Sequence, residues 1–423
     1  MRPLAALLCA WLVTACGADP PASPRDEDRP SAGRSAGSTS TTAPDTPTSW
    51  GPTEGELQRA AEEVAQWGPE RLAGQVIVGR YHGSNPEVAA ALVRDLHLAG
   101  LSVTSENVVD TDQVTATTEA IQRAHAADGR DWPAVIGVDQ EGGVVAHLRG
   151  IATDFPAFSA AGAAVADEGG AGERLVADAA RTTGLELRGL GFTWVFAPVA
   201  DVTIGEADPT IGTRSPSTDP DLAARAVAAA VSGYDEAGIV STTKHFPGHG
   251  SVTADSHEVL PLLRAPLAEL RVRDLPPFAA AVEARAPAMM MGHLDVTALA
   301  PGVPSSQAPA VYEFLRGDLG FEGVTITDSL GMGAALSQRY PAVRALQAGA
   351  DLLLMPVDPS ETHRLVVDAI RAGEVPRERI EEAAARVVAL QLWQQRVAAD
   401  VPVPEDAAAR AQQAAAALAA AGS

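Results

Sequence analysis

A chain of 423 residues, 46% of them hydrophobic, can bury a sizeable core, and a formal charge of −23 with no offsetting basic stripe excludes a nucleic-acid binder. Cys9 and Cys16 are the only cysteines and both lie at the extreme N-terminus, so stability must come from the core and not from disulfides.

The N-terminus reads as an export segment. Arg2 precedes an apolar run over residues 4–13, which is too short for the ~20 residues of a bilayer span and suits a secretory core. Val13-Thr14-Ala15-Cys16 then resembles a bacterial lipobox. That resemblance implies a signal peptide over residues 1–15, a lipidated Cys16 as first mature residue, and an extracytoplasmic protein anchored to the cell membrane. The alternative is an ordinary signal peptide that contains a cysteine. Residues 16–50 are rich in Pro, Ser, Thr, Asp and Gly and cannot bury enough surface to offset their ordering entropy, so they are expected to form a flexible tether.

From residue 51 to 398 strand patterns alternate with helical ones. Strands are expected at residues 75–81 (QVIVGRY), 101–104, 133–139 (PAVIGVD) and 192–198 (FTWVFAP). A fifth runs through Ile239 and Val240 into Lys244, and the last three fall at 288–293 (AMMMGH), 323–328 (GVTITD) and 352–356. Helices are expected at 112–127, 174–187, 361–372 and 377–396. Another begins after Asp219, a good N-cap with Pro220 at the first helical position. Residues from Ala407 form an alanine-rich tail with little to pack. Eight apolar strands, each followed by a helical pattern, predict a single (β/α)8 TIM barrel. A doubly wound open sheet fits less well, because no Gly-rich phosphate fingerprint opens the first β–α turn. Asp139, Asp201, Lys244 with His245, His293 and Asp328 all fall at strand C-termini, the rim where barrels place their chemistry.

The densest stretch is Lys244-His245-Phe246-Pro247-Gly248-His249-Gly250, continuing to Asp255-Ser256-His257. Asp255 and His257 are two apart, so an extended segment projects both from one face, and the carboxylate can orient the imidazole as proton donor and acceptor. A polar loop whose histidines satisfy backbone groups is the bland reading, disfavoured by the clustering. Asp328, after Val324-Thr325-Ile326-Thr327, is either a helix cap or a nucleophile. Asp139, in GVDQEGG, is either a turn residue or a ligand for hydroxyls. Amine and imidazole donors beside carboxylates suit polyols, whose hydroxyls both donate and accept.

KHFPGHG followed by DSH resembles the signature of family 3 glycoside hydrolases, in the β-N-acetylhexosaminidase branch. DQEGG, IGTRS and GFEGVTITDSLGMGA are similar to three further motifs of that family, in the expected order. The resemblance implies that Asp328 is the nucleophile of a retaining mechanism, that His257 is the acid/base held by Asp255, and that Asp139, Arg214, Lys244 and His245 contact the sugar. His249 and His293 are expected to be structural. The implied activity is release of terminal N-acetylglucosamine from peptidoglycan-derived saccharides or muropeptides. No cofactor, no metal and no obligate protein partner is implied. Histidine's ordinary pKa of ~6.5 leaves both protonation states accessible near neutrality. A neutral imidazole also keeps a second anion away from an acidic leaving sugar. Three positions depart from the family pattern: Val144 and His147 where arginines are usual, with Arg149 nearby, and Pro216 where an aromatic is usual. A phosphorylase and a non-catalytic sugar-binding lipoprotein are the alternative functions.

Overall fold

The computed structural model describes residues 46–422, so the expected signal peptide, Cys16 and most of the tether lie outside the described residues. Within the described chain, eight parallel strands form the barrel: β1 (Ile77–Gly79), β2 (Gly100–Val103), β3 (Val135–Val138), β4 (Trp194–Val195), β5 (Val240–Phe246), β6 (Ala288–Met291), β7 (Val324–Thr327) and β8 (Leu353–Leu354). They pair in the order β7-β6-β5-β4-β3-β2-β1-β8, and a parallel bridge from Ile326 to Leu352 joins β7 to β8. The predicted (β/α)8 barrel is therefore the observed fold.

Two helices, α1 (Glu54–Val64) and α2 (Pro69–Gln75), precede β1. The crossovers carry α3 (Pro86–Asp95), α4 (Thr111–Ala127), α5 (Ser159–Glu168), α6 (Gly170–Gly189), α7 (Pro220–Ala237), α8 (Leu267–Arg273), α9 (Pro276–Glu283), α10 (Pro309–Gly317) and α11 (Pro341–Ala348). After β8 come α12 (Pro359–Ala372), α13 (Arg377–Asp400) and α14 (Ala407–Ala421). The N-cap reading at Asp219 holds: its carboxylate accepts from the amides of Asp221 and Leu222, and Asp110 and Asp358 cap α4 and α12 in the same way. Each such cap is worth about 1 kcal/mol. No helix among the described residues is long and apolar enough to cross a membrane.

The strands are shorter than the apolar runs that announce them. Residues 75–81 were expected as one strand, yet Gln75 ends α2, where it is buried and hydrogen-bonded to Gln391 on α13 at 2.7 Å. That bond is part of the barrel's floor. Gln391 donates to the carbonyl of Pro133, Gln394 to that of Gly238, and Arg379 to that of Ala350, so α13 crosses the N-terminal ends of several strands and satisfies their leading carbonyls. With the floor sealed, the C-terminal ends remain open for chemistry. Backbones approach closely inside: a Cβ on Gly100 would lie 1.7 Å from the Val135 carbonyl oxygen, so only glycine fits there.

Two expectations about the ends are corrected. Trp50, placed in the tether, is buried at 4% exposure in the core, and the ring of Trp393 on α13 packs against neighbouring Gly51. The alanine-rich tail, expected to have little to pack, forms α14 and lies on α5 and α6. Ala411, Ala414, Ala415 and Leu418 are buried there, because small side chains at helical spacing let two helices approach.

Candidate active site

At the open end, β5 does most of the positioning. Its register against β6 slips between Thr243 and Phe246, so Lys244 and His245 on β5 together face the single residue Met290 on β6. A slip of this kind breaks strict alternation, and Lys244 and His245, adjacent in sequence, both reach polar groups at the barrel mouth. Lys244 Nζ lies 2.5 Å from Asp139 Oδ1 and 2.6 Å from Glu141 Oε1. Arg214 clamps the same Glu141 with both fork nitrogens, at 2.8 and 2.9 Å. His245 Nδ1 lies 2.7 Å from Asp201 Oδ2, and the His249 amide donates to the other oxygen of Asp201.

These contacts fix the charge states. Burial would raise the Glu141 carboxyl, but Lys244 and Arg214 outweigh it and hold the group down to about 2. Lys244 is raised, because Asp139 and Glu141 overcome the burial that would lower it. Asp201 is lowered despite burial, by the charge and hydrogen bond of His245 and the amide of His249. The mouth is therefore a pre-charged network of paired cations and anions, the kind of surface that binds sugar hydroxyls.

Asp328 stands just past β7, its own amide bound to the Met291 carbonyl at 2.9 Å and its Oδ1 accepting from the Ser329 amide at 2.7 Å. Burial pushes its carboxyl up, but His245 and His293, the Ser329 amide and Lys244 pull further the other way, and the group sits below the ordinary carboxylate range. It is an anion with one oxygen held by the backbone. His293 braces this turn: its Nε2 is 2.9 Å from the Ser329 carbonyl and its Nδ1 is 2.7 Å from Ser306 Oγ. Burial lowers its pKa, and a neutral ring that donates from Nε2 and accepts at Nδ1 fits both partners.

Asp255 and His257 lie on the loop after β5. Asp255 Oδ1 lies 2.7 Å from His257 Nδ1 and also accepts the His257 amide at 2.9 Å. The loop is pinned to the segment following Asp328, since the amides of Gly333 and Ala334 donate to the carbonyls of His257 and Ser256. The His257 side chain is 63% exposed, so solvent water can reach it. A cavity of about 360 Å³ is lined by Asp139, Arg214, Lys244, His245, His257 and Asp328 together, with Glu141, His147 and His249 among its other walls. The six lining residues named first are the ones to which the family resemblance assigns contacts or catalysis; Asp255 is not in the lining but holds His257 at 2.7 Å.

Residues 70–390 match the glycosyl hydrolase family 3 N terminal domain. The chain is a family 3 glycoside hydrolase. It is 33% identical to Beta-hexosaminidase LpqI of Mycobacterium tuberculosis over 336 residues, which cover 76% of this chain and 82% of that protein. Beta-hexosaminidase A of Pseudoalteromonas piscicida is 33% identical over 333 residues, covering 72% of this chain; the hydrolase spans only 55% of that relative. Among solved structures, a family 3 β-N-acetylglucosaminidase from Paenibacillus sp. str. FPU-7 superposes with a TM-score of 0.74 at 30% identity, over 82% of this chain and 68% of that one.

Two carboxylates to which the sequence assigns no contact tie the site's side chains together. Glu141 bridges Lys244 and Arg214, and Asp201 orients His245. Their signals were present, as a carboxylate inside Gln140-Glu141-Gly142-Gly143 and an aspartate just beyond a strand. Only the barrel's closure shows that they meet β5. Of the three departures from the family pattern, His147 lines the cavity and its Nδ1 lies 2.8 Å from Ser105 Oγ. Val144 is not in its lining and is 72% exposed. Pro216 packs by its backbone against Gly162, on α5.

Proposed function

We propose that this family 3 hydrolase is a retaining exo-acting β-N-acetylglucosaminidase that removes terminal N-acetylglucosamine from peptidoglycan-derived saccharides. One observation carries the reading: Asp328, His257 (held by Asp255) and the Asp139–Lys244–Arg214–His245 cluster line one cavity of about 360 Å³. The relatives named β-hexosaminidases support the same substrate class. In the first displacement a carboxylate oxygen of Asp328 attacks C1, the bond from C1 to the leaving oxygen breaks, and His257 gives that oxygen a proton. In the second, His257 takes a proton from water, whose oxygen displaces Asp328 from C1 with net retention. Asp255 accepts from Nδ1 of His257, which leaves Nε2 as the atom that exchanges the proton. Asp139, Lys244, Arg214 and His245 bind the hydroxyls of the terminal sugar. Chain order supports an anchor through Cys16, which would hold the enzyme outside the cytoplasm at the cell membrane; Cys16→Ala should release it from the membrane fraction.

The test is p-nitrophenol release from its β-N-acetylglucosaminide by the full chain and by Asp328→Asn and His257→Ala, each with and without phosphate. Expected is turnover lost in Asp328→Asn, reduced but not abolished in His257→Ala because p-nitrophenolate leaves without much acid assistance, and indifferent to phosphate in the unmodified chain. A glycosyl phosphate product would make the enzyme a phosphorylase, and sugar binding without turnover by the unmodified chain would make it a binding lipoprotein.

A further inference from the structure

The pair that handles the proton stands in solvent. The side chains of Asp255 and His257 are 39% and 63% exposed, and their side-chain hydrogen bonds stay within the pair. Such a pair is rigid in itself but travels with its loop, so whatever fixes the loop fixes the place of His257. Ser256, between them, is the opposite case. It is 1% exposed, and its hydroxyl lies 2.8 Å from Nε2 of His249, which is equally buried. Among the described residues this is the one side-chain hydrogen bond that joins residues 253–260 to the rest of the barrel, and the amides of Gly333 and Ala334 add two backbone bonds to it. Both Ser256 and His249 line the catalytic cavity, yet neither displacement described above uses them.

His249 is itself a fixed post. Its amide donates to Asp201 Oδ1 at 2.6 Å, on the carboxylate whose other oxygen holds His245. The backbone on either side of it is in close contact with other segments. A Cβ on Gly248 would come within 2.8 Å of the Asp274 Cβ, just after α8, and one on Gly250 within 2.4 Å of the Val202 carbonyl oxygen, after β4. These contacts belong to the backbone, so they survive a change of the His249 ring. The ring is left with one polar contact to the loop, the Ser256 hydroxyl.

We propose that His249 is a positioning residue for the acid/base: by holding the Ser256 hydroxyl, its ring sets where His257 stands relative to Asp328 and the leaving oxygen. The inference rests on the catalytic reading above. A residue that acts in this way matters in proportion to the proton help a leaving group needs. A sugar hydroxyl is a poor leaving group and needs all of it, whereas p-nitrophenolate needs little. General acid catalysis contributes roughly 10²- to 10⁴-fold, and a misplacement of about 1 Å can cost roughly 10²-fold. With the two backbone bonds still in place, loss of the His249–Ser256 bond should remove about tenfold or more of that contribution.

The experiment measures kcat/KM of the full chain on p-nitrophenyl β-N-acetylglucosaminide and on the β-1,4-linked disaccharide of N-acetylglucosamine, whose leaving group is a sugar hydroxyl. Ser256→Ala, which removes a single oxygen atom, and His249→Phe should each lower the disaccharide value by about tenfold or more and the p-nitrophenyl value by less than about threefold. His249→Gln, whose amide nitrogen falls near the place of Nε2, should recover most of that loss, and inhibition by free N-acetylglucosamine should be unchanged in all three. In a His257→Ala background Ser256→Ala should cost nothing more, because the hydroxyl acts only through His257. Equal falls on the two substrates, a further loss in the His257→Ala background, or a Ser256→Ala enzyme that matches the parent on both substrates would overturn the proposal. Failure of the unmodified chain to hydrolyse either substrate would instead remove the catalytic reading, and the role of His249 with it.

Discussion

Replacing Glu141 by glutamine removes the charge that Lys244 and Arg214 share while keeping shape. The side chain is 2% exposed, so solvent screens little of its interaction with either cation. A carboxyl lowered from 4.5 to about 2 in the folded state corresponds to roughly 3 kcal/mol of stability above the unfolded pKa, at 1.36 kcal/mol for each pH unit. The sign follows from the direction. The folded group stays ionised where the unfolded one has begun to protonate, so this contribution is complete above about 4.5 and is lost as pH falls toward about 2. Glu141→Gln should therefore unfold about 3 kcal/mol more easily at pH 6 in urea titrations, and the gap to the unmodified enzyme should close as the titrations are repeated toward pH 3. If Lys244 and Arg214 bind sugar hydroxyls as proposed, it should also raise KM, since both lose the carboxylate that anchors them. A variant as stable as the parent at pH 6, or a gap that stays constant down to pH 3, would refute the account of this charge network.

Asp328→Asn should lower kcat by roughly 10³-fold or more while the variant still binds N-acetylglucosamine, measured by titration calorimetry. Because Asp328 is held below the ordinary carboxylate range, it stays ionised at pH values where a free aspartate protonates, and it should not set an acid limb of kcat/KM above pH 4. His257→Ala should lose roughly 10²- to 10⁴-fold on substrates with poor leaving groups and less on p-nitrophenyl glycosides. Added azide should restore turnover there and yield a β-glycosyl azide seen by NMR, whereas no rescue would argue against His257 as the base. Leu418→Ala should cost about 2 kcal/mol in urea unfolding, since this 5%-exposed side chain seats α14; a change below about 0.5 kcal/mol would mean that α14 is not packed as described.

What the sequence made legible was local. Eight apolar runs ending in polar residues gave the barrel, and the Asp255–His257 spacing gave a pair that the structure places 2.7 Å apart. Strand ends were less readable, because flanking apolar residues such as Phe196 serve packing outside the ladder: its ring fills the space that the missing side chain of Gly137 leaves on β3. The bridging roles of Glu141 and Asp201 depend on which loops barrel closure brings together, and no local pattern encodes that. The packing of α14 was hidden for a different reason. An alanine-rich helix carries little amphipathic signal, yet alanines bury well where another helix comes close.

The central claim is that Asp328 forms a covalent bond to the sugar. A 5-fluoro-N-acetylglucosaminyl fluoride, which forms the glycosyl-enzyme faster than water can release it, tests this directly when the labelled protein is digested and sequenced by mass spectrometry. The account predicts one added sugar, located on the peptide containing Thr327-Asp328-Ser329 and absent from Asp328→Asn. A label on another carboxylate, or inactivation with no covalent sugar, would contradict it.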